Sequence, residues 1–205
     1  MQKPSDWDNV SSFGEFKQLP KGAYICKVCK VEETESKGGY PMLRIYLDIA
    51  EGEYKDFYAQ AYRADKRDDK KWGCIYYQLT QDTQNHSQTN RGLKTFVTSV
   101  EESNNGFKVV WGDAFADCFK NKKVGVVFRR EQFQTMDGKL MWSVKPFNFR
   151  SVDAVYKGIE PPEDKAVSGY TSAPAQASTQ QSTQGTLADI GDFEEVISNE
   201  AELPF

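Results

Sequence analysis

Histidine occurs once and cysteine four times in this 205-residue chain. No apolar run approaches the roughly 18 residues that a membrane-spanning helix needs. Residues 1–9 lack the basic segment and apolar core of a secretory signal. The lone His86 lies in a polar stretch with no Ser, Cys or Asp arrangement around it that would make a triad. No G-x-x-x-x-G-K-S/T loop is present, so the usual ATPase signature is absent. Asp65, Asp68 and Asp69 are interleaved with Lys66, Arg67, Lys70 and Lys71, a pattern of a solvated loop rather than of a Mg²⁺ nuclease site. Cys26 and Cys29 have C-x-x-C spacing, but inside an alternating strand their side chains face opposite ways, and Cys74 and Cys118 are isolated. Core or half-buried thiols in a reduced, cytoplasmic protein fit this pattern better than a zinc site. The expectation is therefore a protein with no catalytic residues, no metal, no cofactor and no membrane segment.

What is present is an uneven charge. The net charge of -4 and the pI of about 5.2 exclude a wholly basic binder. Residues 1–160 hold 25 Lys and Arg against 22 Asp and Glu, a net of +3; residues 161–205 hold one Lys and 8 acids, a net of -7. The composition changes at the same place, after Gly158-Ile159-Glu160-Pro161-Pro162. Residues 166–185 are almost wholly Ser, Thr, Gln, Ala, Pro and Gly, which cannot bury enough apolar surface to offset the entropy of ordering. The sequence thus divides into a folded domain over 1–160 and a disordered linker with an acidic tip over 161–205. The tip ends in Glu200-Ala201-Glu202-Leu203-Pro204-Phe205. Across a polar linker it cannot join the core, but it suits a ligand: a partner can bury the Phe205 ring and pair basic side chains with the carboxylates.

The first domain reads as strands. Residues 22–32 alternate, with Ala23, Ile25, Lys27, Cys29 and Val31 on one face and Tyr24, Cys26, Val28 and Lys30 on the other. After a turn at Gly38-Gly39-Tyr40-Pro41, residues 42–49 point Leu43, Ile45, Leu47 and Ile49 inward and Arg44, Tyr46 and Asp48 outward. Residues 54–62 are expected to form a third strand. Residues 64–71 read as a loop, 72–79 carry Ile75, Tyr76 and Leu79 at helical spacing, and 90–101 read as a helix burying Leu93, Phe96, Val97 and Val100. A short β-like stretch at 107–111 and one or two helical turns at 113–119 follow. Strands at 123–133 and 140–149 flank the hairpin turn Met136-Asp137-Gly138-Lys139. The fold class is all-β: a five-stranded OB-fold barrel with a helical insertion between strands three and four, plus the disordered acidic tail. An SH3-like or other small barrel fits the same pattern; a Rossmann-type sheet does not, because regular helices do not separate the strands.

A single-strand binder needs cations along the backbone path and aromatic faces for the bases. Four groups combine them: Arg44 and Tyr46 on strand two; Lys55, Tyr58 and Tyr62 on strand three; Arg63, Lys66, Arg67, Lys70, Lys71 and Trp72 in the loop; and Arg129, Arg130, Trp142 and Lys145 on the final hairpin. Tyr46 leads as a stacking candidate, because Ile45 and Leu47 already supply the inner face. Many of the 13 Phe, 10 Tyr and 4 Trp must instead be packing residues. An RNA-binding OB protein and a scaffold module that binds no nucleic acid remain alternatives.

The acidic tip ending in Glu202-Leu203-Pro204-Phe205 resembles that of bacterial and phage single-stranded-DNA-binding proteins. Phe16-Lys17-Gln18-Leu19-Pro20-Lys21-Gly22-Ala23-Tyr24, Gly39-Tyr40-Pro41-Met42-Leu43-Arg44-Ile45, Ile49-Ala50-Glu51-Gly52 and Lys122-Lys123-Val124-Gly125-Val126-Val127 resemble the phage-encoded members, in outline over residues 13–160. The resemblance implies an OB-fold that coats single-stranded DNA in replication, recombination or repair. It implies a tip (Glu200, Glu202, Leu203, Pro204, Phe205) that recruits the enzymes of those processes, and a place in the cytoplasm of a bacterial host. The insertion at residues 72–111 departs from the bacterial pattern, which puts a tetramer in doubt and leaves a homodimer open.

Overall fold

The computed structural model describes Lys3 and residues 18–167. Five antiparallel strands form one sheet in the order β3-β2-β1-β4-β5: β1 (Gly22–Glu35), β2 (Pro41–Ile49), β3 (Ile75–Leu79), β4 (Lys123–Gln134) and β5 (Leu140–Arg150). Among the described residues three α-helices accompany them: α1 (Phe57–Ala64) between β2 and β3, α2 (Arg91–Ser103) between β3 and β4, and the short α3 (Val152–Tyr156) after β5; a 3₁₀ turn at Asp117–Phe119 precedes β4. None of the described helices is long and apolar enough to cross a membrane.

β1 is the axis. Its first half pairs with β4 from Gly22↔Phe128 to Lys27↔Lys123, and from Cys26 onward it pairs with β2 up to Glu35↔Pro41. Residues opposite each other share a face, so Cys26, Val28, Ile45, Leu47, Ile49, Val124 and Val126 line one concave side, all of them buried. The register of β1 shifts between Val28 and Lys30. This bulge at Cys29 changes the strict alternation expected over 22–32: Val28 and Val31, of opposite parity, are both buried. α2 closes the concave side with Leu93, Phe96, Val97 and Val100, as its spacing predicts, and its N-terminus is capped by Asn90, whose side-chain oxygen accepts from the Gly92 amide at 2.8 Å. Phe96 meets Phe149 of β5 and Phe119 at ring-centre distances of 4.8 Å each.

The sheet is open in its backbone ladder, so the closed barrel of the sequence reading is not seen as a continuous hydrogen-bonded ring. Side chains draw the two edges together. The Tyr76 hydroxyl of β3 donates to the Phe147 carbonyl of β5 at 3.3 Å, and the Tyr76 ring lies 4.7 Å from that of Phe149.

Three expectations are corrected. Residues 54–62 are not the third strand: Asp56 sits in the left-handed region (φ 58°), which ends extension, and residues 57–64 then wind into α1 with Tyr58 and Ala59 buried. The third strand is β3, in the stretch with apparent helical spacing; both of its faces carry apolar residues, so Ile75, Tyr76 and Leu79 mimicked a helix, while Met42↔Leu79 through Tyr46↔Ile75 pair it to β2. Of the stretch at 107–111, none is strand; the Val109 amide is instead held by the Glu101 carboxylate at 3.0 Å.

Asp48 anchors α1. It is fully buried, and its Oδ1 accepts from the amides of Ile49 and Tyr58, both at 2.9 Å. Its Oδ2 has no hydrogen-bond partner and faces Lys27 Nζ at 3.8 Å, while Lys27 bonds Asp56 at 2.6 Å. Burial pushes the Asp48 carboxyl above its ordinary range, and the two amides and Lys27 pull it back. On the opposite edge of β1, where Gly125 pairs with Ile25, Gly125 admits α3: a Cβ there would meet Val155 Cγ2 at 2.5 Å and the carbonyls of Arg150 and Ser151 at 2.8 Å.

Asp48→Ala strands two buried amides and is expected to cost about 2–4 kcal/mol in denaturant unfolding. Asp48→Asn keeps an acceptor and removes the buried charge. Because the native carboxyl titrates above its unfolded value, the stability of Asp48→Asn relative to wild type rises as the pH goes from acid to neutral. Gly125→Ala should destabilise by about 1–3 kcal/mol through overpacking against α3, read as a lower unfolding midpoint with unchanged slope.

Candidate nucleic-acid interface

The position of each candidate follows from which face of its strand is covered. Tyr46 is 2% exposed, and its hydroxyl donates to Glu32 Oε2 at 2.8 Å. Burial and the Glu32 carboxylate raise its pKa to about 12. It is a packed residue and offers no ring face to a base, which overturns its place as the leading stacking candidate. Leu43, Ile45, Leu47 and Ile49 are buried as expected, but both faces of β2 are covered, so Tyr46 and Asp48 of the outward set are buried as well. Arg44 of the same set is half-buried beside Glu32 at 3.8 Å.

Tyr58 and Trp72 are corrected for the same reason. Tyr58 is buried in α1, stacked on Phe128 with ring centres 6.5 Å apart, and burial drives its hydroxyl far above the usual phenol range. Trp72 is buried with its indole N–H on the Leu47 carbonyl at 2.8 Å. Tyr62 is half-buried against Trp72 at 5.8 Å, with the Lys70 ammonium 4.4 Å above its ring. The cations around them stay at the surface: Lys55, Arg63, Lys66, Arg67 and Lys71 are exposed. Arg67 folds back on Asp65, bonding both carboxylate oxygens, and holds that carboxyl down at about 2.

The hairpin gathers what the loop does not. β4 and β5 continue past Phe128, which pairs with the first residue of β1, as a two-stranded arm with cross-strand pairs Arg129↔Lys145, Arg130↔Val144, Gln132↔Trp142 and Phe133↔Met141. The register shifts between Val127 and Phe128, opposite Asn148 and Pro146, which leaves Phe147 as the extra residue of a bulge. The consequence is a split between two rings that simple alternation would put together. Phe149 is buried inside, whereas Phe147 is 38% exposed with the Arg129 guanidinium 4.1 Å from its centre. Lys145, opposite Arg129, shares this outer face and is exposed. Phe133 and Met141 carry it outward along the arm, both exposed. On the arm's other face Arg130 lies 4.6 Å from the centre of the half-buried Trp142 ring.

The Tyr76–Phe147 bond brings β3 beside this face. Tyr77, paired with Arg44 in register, is on the outer side of β3 and 41% exposed. Arg44 and Tyr77 thus lie on the β3 side of the seam and Phe147, Arg129 and Lys145 on the β5 side, with Tyr76 as the contact between the two strands. Tyr77 and Phe147 were missed by the sequence reading. The first was hidden by a helix-like spacing; the second carries no local signal distinguishing it from packed phenylalanines.

Carboxylates restrain part of this charge: Glu131 pairs with Arg129, and Asp164 lies 3.6 Å from Arg130. Among the described residues no group of three or more His, Cys, Asp or Glu could hold a metal ion. Cys26 and Cys74 are buried, Cys29 sits at the bulge of β1, and burial raises all three thiols. The linker from 168 and the tip residues Glu200, Glu202, Leu203, Pro204 and Phe205 lie outside the described residues, as do Phe16 and Lys17 of the opening motif.

No curated protein matches the chain. A protein-family model does match, over residues 5–155, and so takes in the whole five-stranded sheet with its helices α1 and α2. On that match the chain belongs to the family described as "Protein of unknown function (DUF669)".

Proposed function

We propose that the protein binds single-stranded DNA without sequence preference and that its sheet is an OB-type barrel used for that purpose. The strand order β3-β2-β1-β4-β5, with the β3 and β5 edges held by Tyr76, is that of such a barrel with its last ladder unzipped, and α2 lies between strands three and four. The observation that carries the reading is the bulge at Phe147, which turns an aromatic ring out of the core and sets it under Arg129, on the face of Lys145 and across the Tyr76 seam from the strand that carries the exposed Tyr77. Ring faces stack on any base, and cations follow the phosphates, so the strip favours an unpaired strand over a duplex, whose bases are already stacked. Lys66, Lys70 and Lys71 extend the positive surface.

The function that follows is coating and protection of single strands in replication, recombination or repair, in a phage-encoded protein acting in the host cytoplasm. The acidic tip would dock partner enzymes, with Phe205 as anchor and Glu200 and Glu202 as charge partners. No catalytic step is assigned.

The test is titration of the full-length protein with a fluorescent oligo-dT of roughly 30 nucleotides, against duplex and against matched RNA, over a salt series. Tight, salt-weakened binding that prefers single-stranded DNA is expected. Equal affinity for duplex would remove the strand-selective strip, preference for RNA would change the ligand, and absence of binding at low salt would end the proposal. Phe147→Ala and Tyr77→Ala should each weaken oligo-dT binding by about 5- to 100-fold without a comparable loss of stability. Tyr46→Phe should leave binding unchanged and cost about 1 kcal/mol in unfolding. Lys145→Ala should reduce the salt slope by about one.

A further inference from the structure

The first residues of the linker do not leave the folded body directly. Lys165 lies along β4 in a parallel bridge with Glu131: its amide donates to the Arg130 carbonyl at 2.9 Å, and its carbonyl accepts from the Gln132 amide at 2.8 Å. The Val167 amide adds a bond to Gln132 Oε1 at 3.3 Å. This occupies the edge of β4 that β1 abandons after Phe128. One residue upstream, Asp164 places its carboxylate between two cations, 2.6 Å from Lys21 Nζ and 3.6 Å from Arg130 Nη1. Lys21 precedes β1 and Arg130 belongs to the hairpin arm, so this one carboxylate ties the arm to the body.

We propose that residues 163–167 are a displaceable edge strand in which Asp164 holds, on Lys21 and Arg130, the place of a nucleic-acid phosphate. The inference rests on the single-strand-binding reading and adds a regulated step to it. The attachment is shallow: Asp164 and Lys165 are exposed, and no apolar side chain of 163–166 is buried. An exposed ion pair contributes little, whereas a polyanion gains by releasing its counterions to the same cations. Phosphates arriving along the arm would take Lys21 and Arg130 together, and Arg130 already stands over Trp142, so a base and its phosphate meet a ring and a cation in one step. Once Asp164 is displaced, only the two backbone bonds of Lys165 and the single bond of Val167 hold the strand. Its release lengthens the tether of everything that follows in the chain. Occupancy of the arm is thereby coupled to the reach of the acidic C-terminal segment.

The experiment is amide hydrogen exchange on the full-length protein with and without oligo-dT, together with oligo-dT affinities of wild type and Asp164→Asn at low salt. The proposal expects faster exchange at Gln132 and Lys165 when oligo-dT is bound, and about fivefold tighter binding by Asp164→Asn. Binding of oligo-dT with unchanged exchange at both amides and unchanged affinity of Asp164→Asn would overturn the displaceable strand while leaving the single-strand reading in place. No binding by either protein would remove both.

Discussion

The rest of the structure hangs on β1 being paired along both edges, with different partners over its two halves. Fourteen residues are long enough for β4 to take the first part and β2 the second, with only Cys26 and Lys27 shared by the two ladders. That stagger tilts the sheet and carries its ends toward each other, so β3 and β5, farthest apart in hydrogen-bonding order, come within reach of one tyrosine hydroxyl. The bulge at Cys29 serves the same end. A bulge increases local twist, and here it also lets Val28 and Val31 enter one core despite their opposite parity. Without a paired β1 there would be no concave side for α2 to close and no seam for Tyr77 and Phe147 to flank.

Much of this was legible from local pattern. β1, β2, β4 and β5 are marked by their apolar patterning and by the turns between them, and α2 follows the 3.6-residue spacing of its four apolar side chains. What was illegible shares one cause: the deciding partner is distant in the chain. Residues 54–62 look like a strand until Asp48, ten residues before Tyr58, is seen to hold the first turn of α1. β3 looks helical because its two faces are both apolar, and only pairing with β2 separates them. Tyr46 looks exposed because alternation says which face a side chain takes, not whether that face is covered. The same gap separates Phe147 from Phe149: two residues apart in sequence, they are assigned to solvent and core by a bulge that no local signal announces.

The candidate interface and the stability of the body are therefore largely separable. The aromatic residues that alternation and composition favoured, Tyr46, Tyr58 and Trp72, hold the packing; the Tyr46 hydroxyl is satisfied by Glu32 and the Trp72 indole N–H by the Leu47 carbonyl. The rings at the surface, Tyr77 and Phe147, sit on strand edges beside the seam, and truncating them opens no cavity in the core. Under the proposed function this division has a use, because a contact strip of this kind can vary with little effect on folding.

Charge completes the arrangement. The body's small positive excess of +3 is spread through many ion pairs, so under the proposed function affinity for a polyanion would depend on which cations are released from their carboxylates rather than on the total. On the arm the restraining acids are close in sequence to what they restrain, Glu131 two residues from Arg129, or come from the start of the linker, as Asp164 does for Arg130. The first kind travels with the arm and tunes its affinity permanently. The second belongs to a segment attached by three backbone amides' worth of bonds, and it can leave. Placing the removable acid at the root of an acidic tail, not at its end, makes the exchange a local event at β4, independent of where the remaining residues lie.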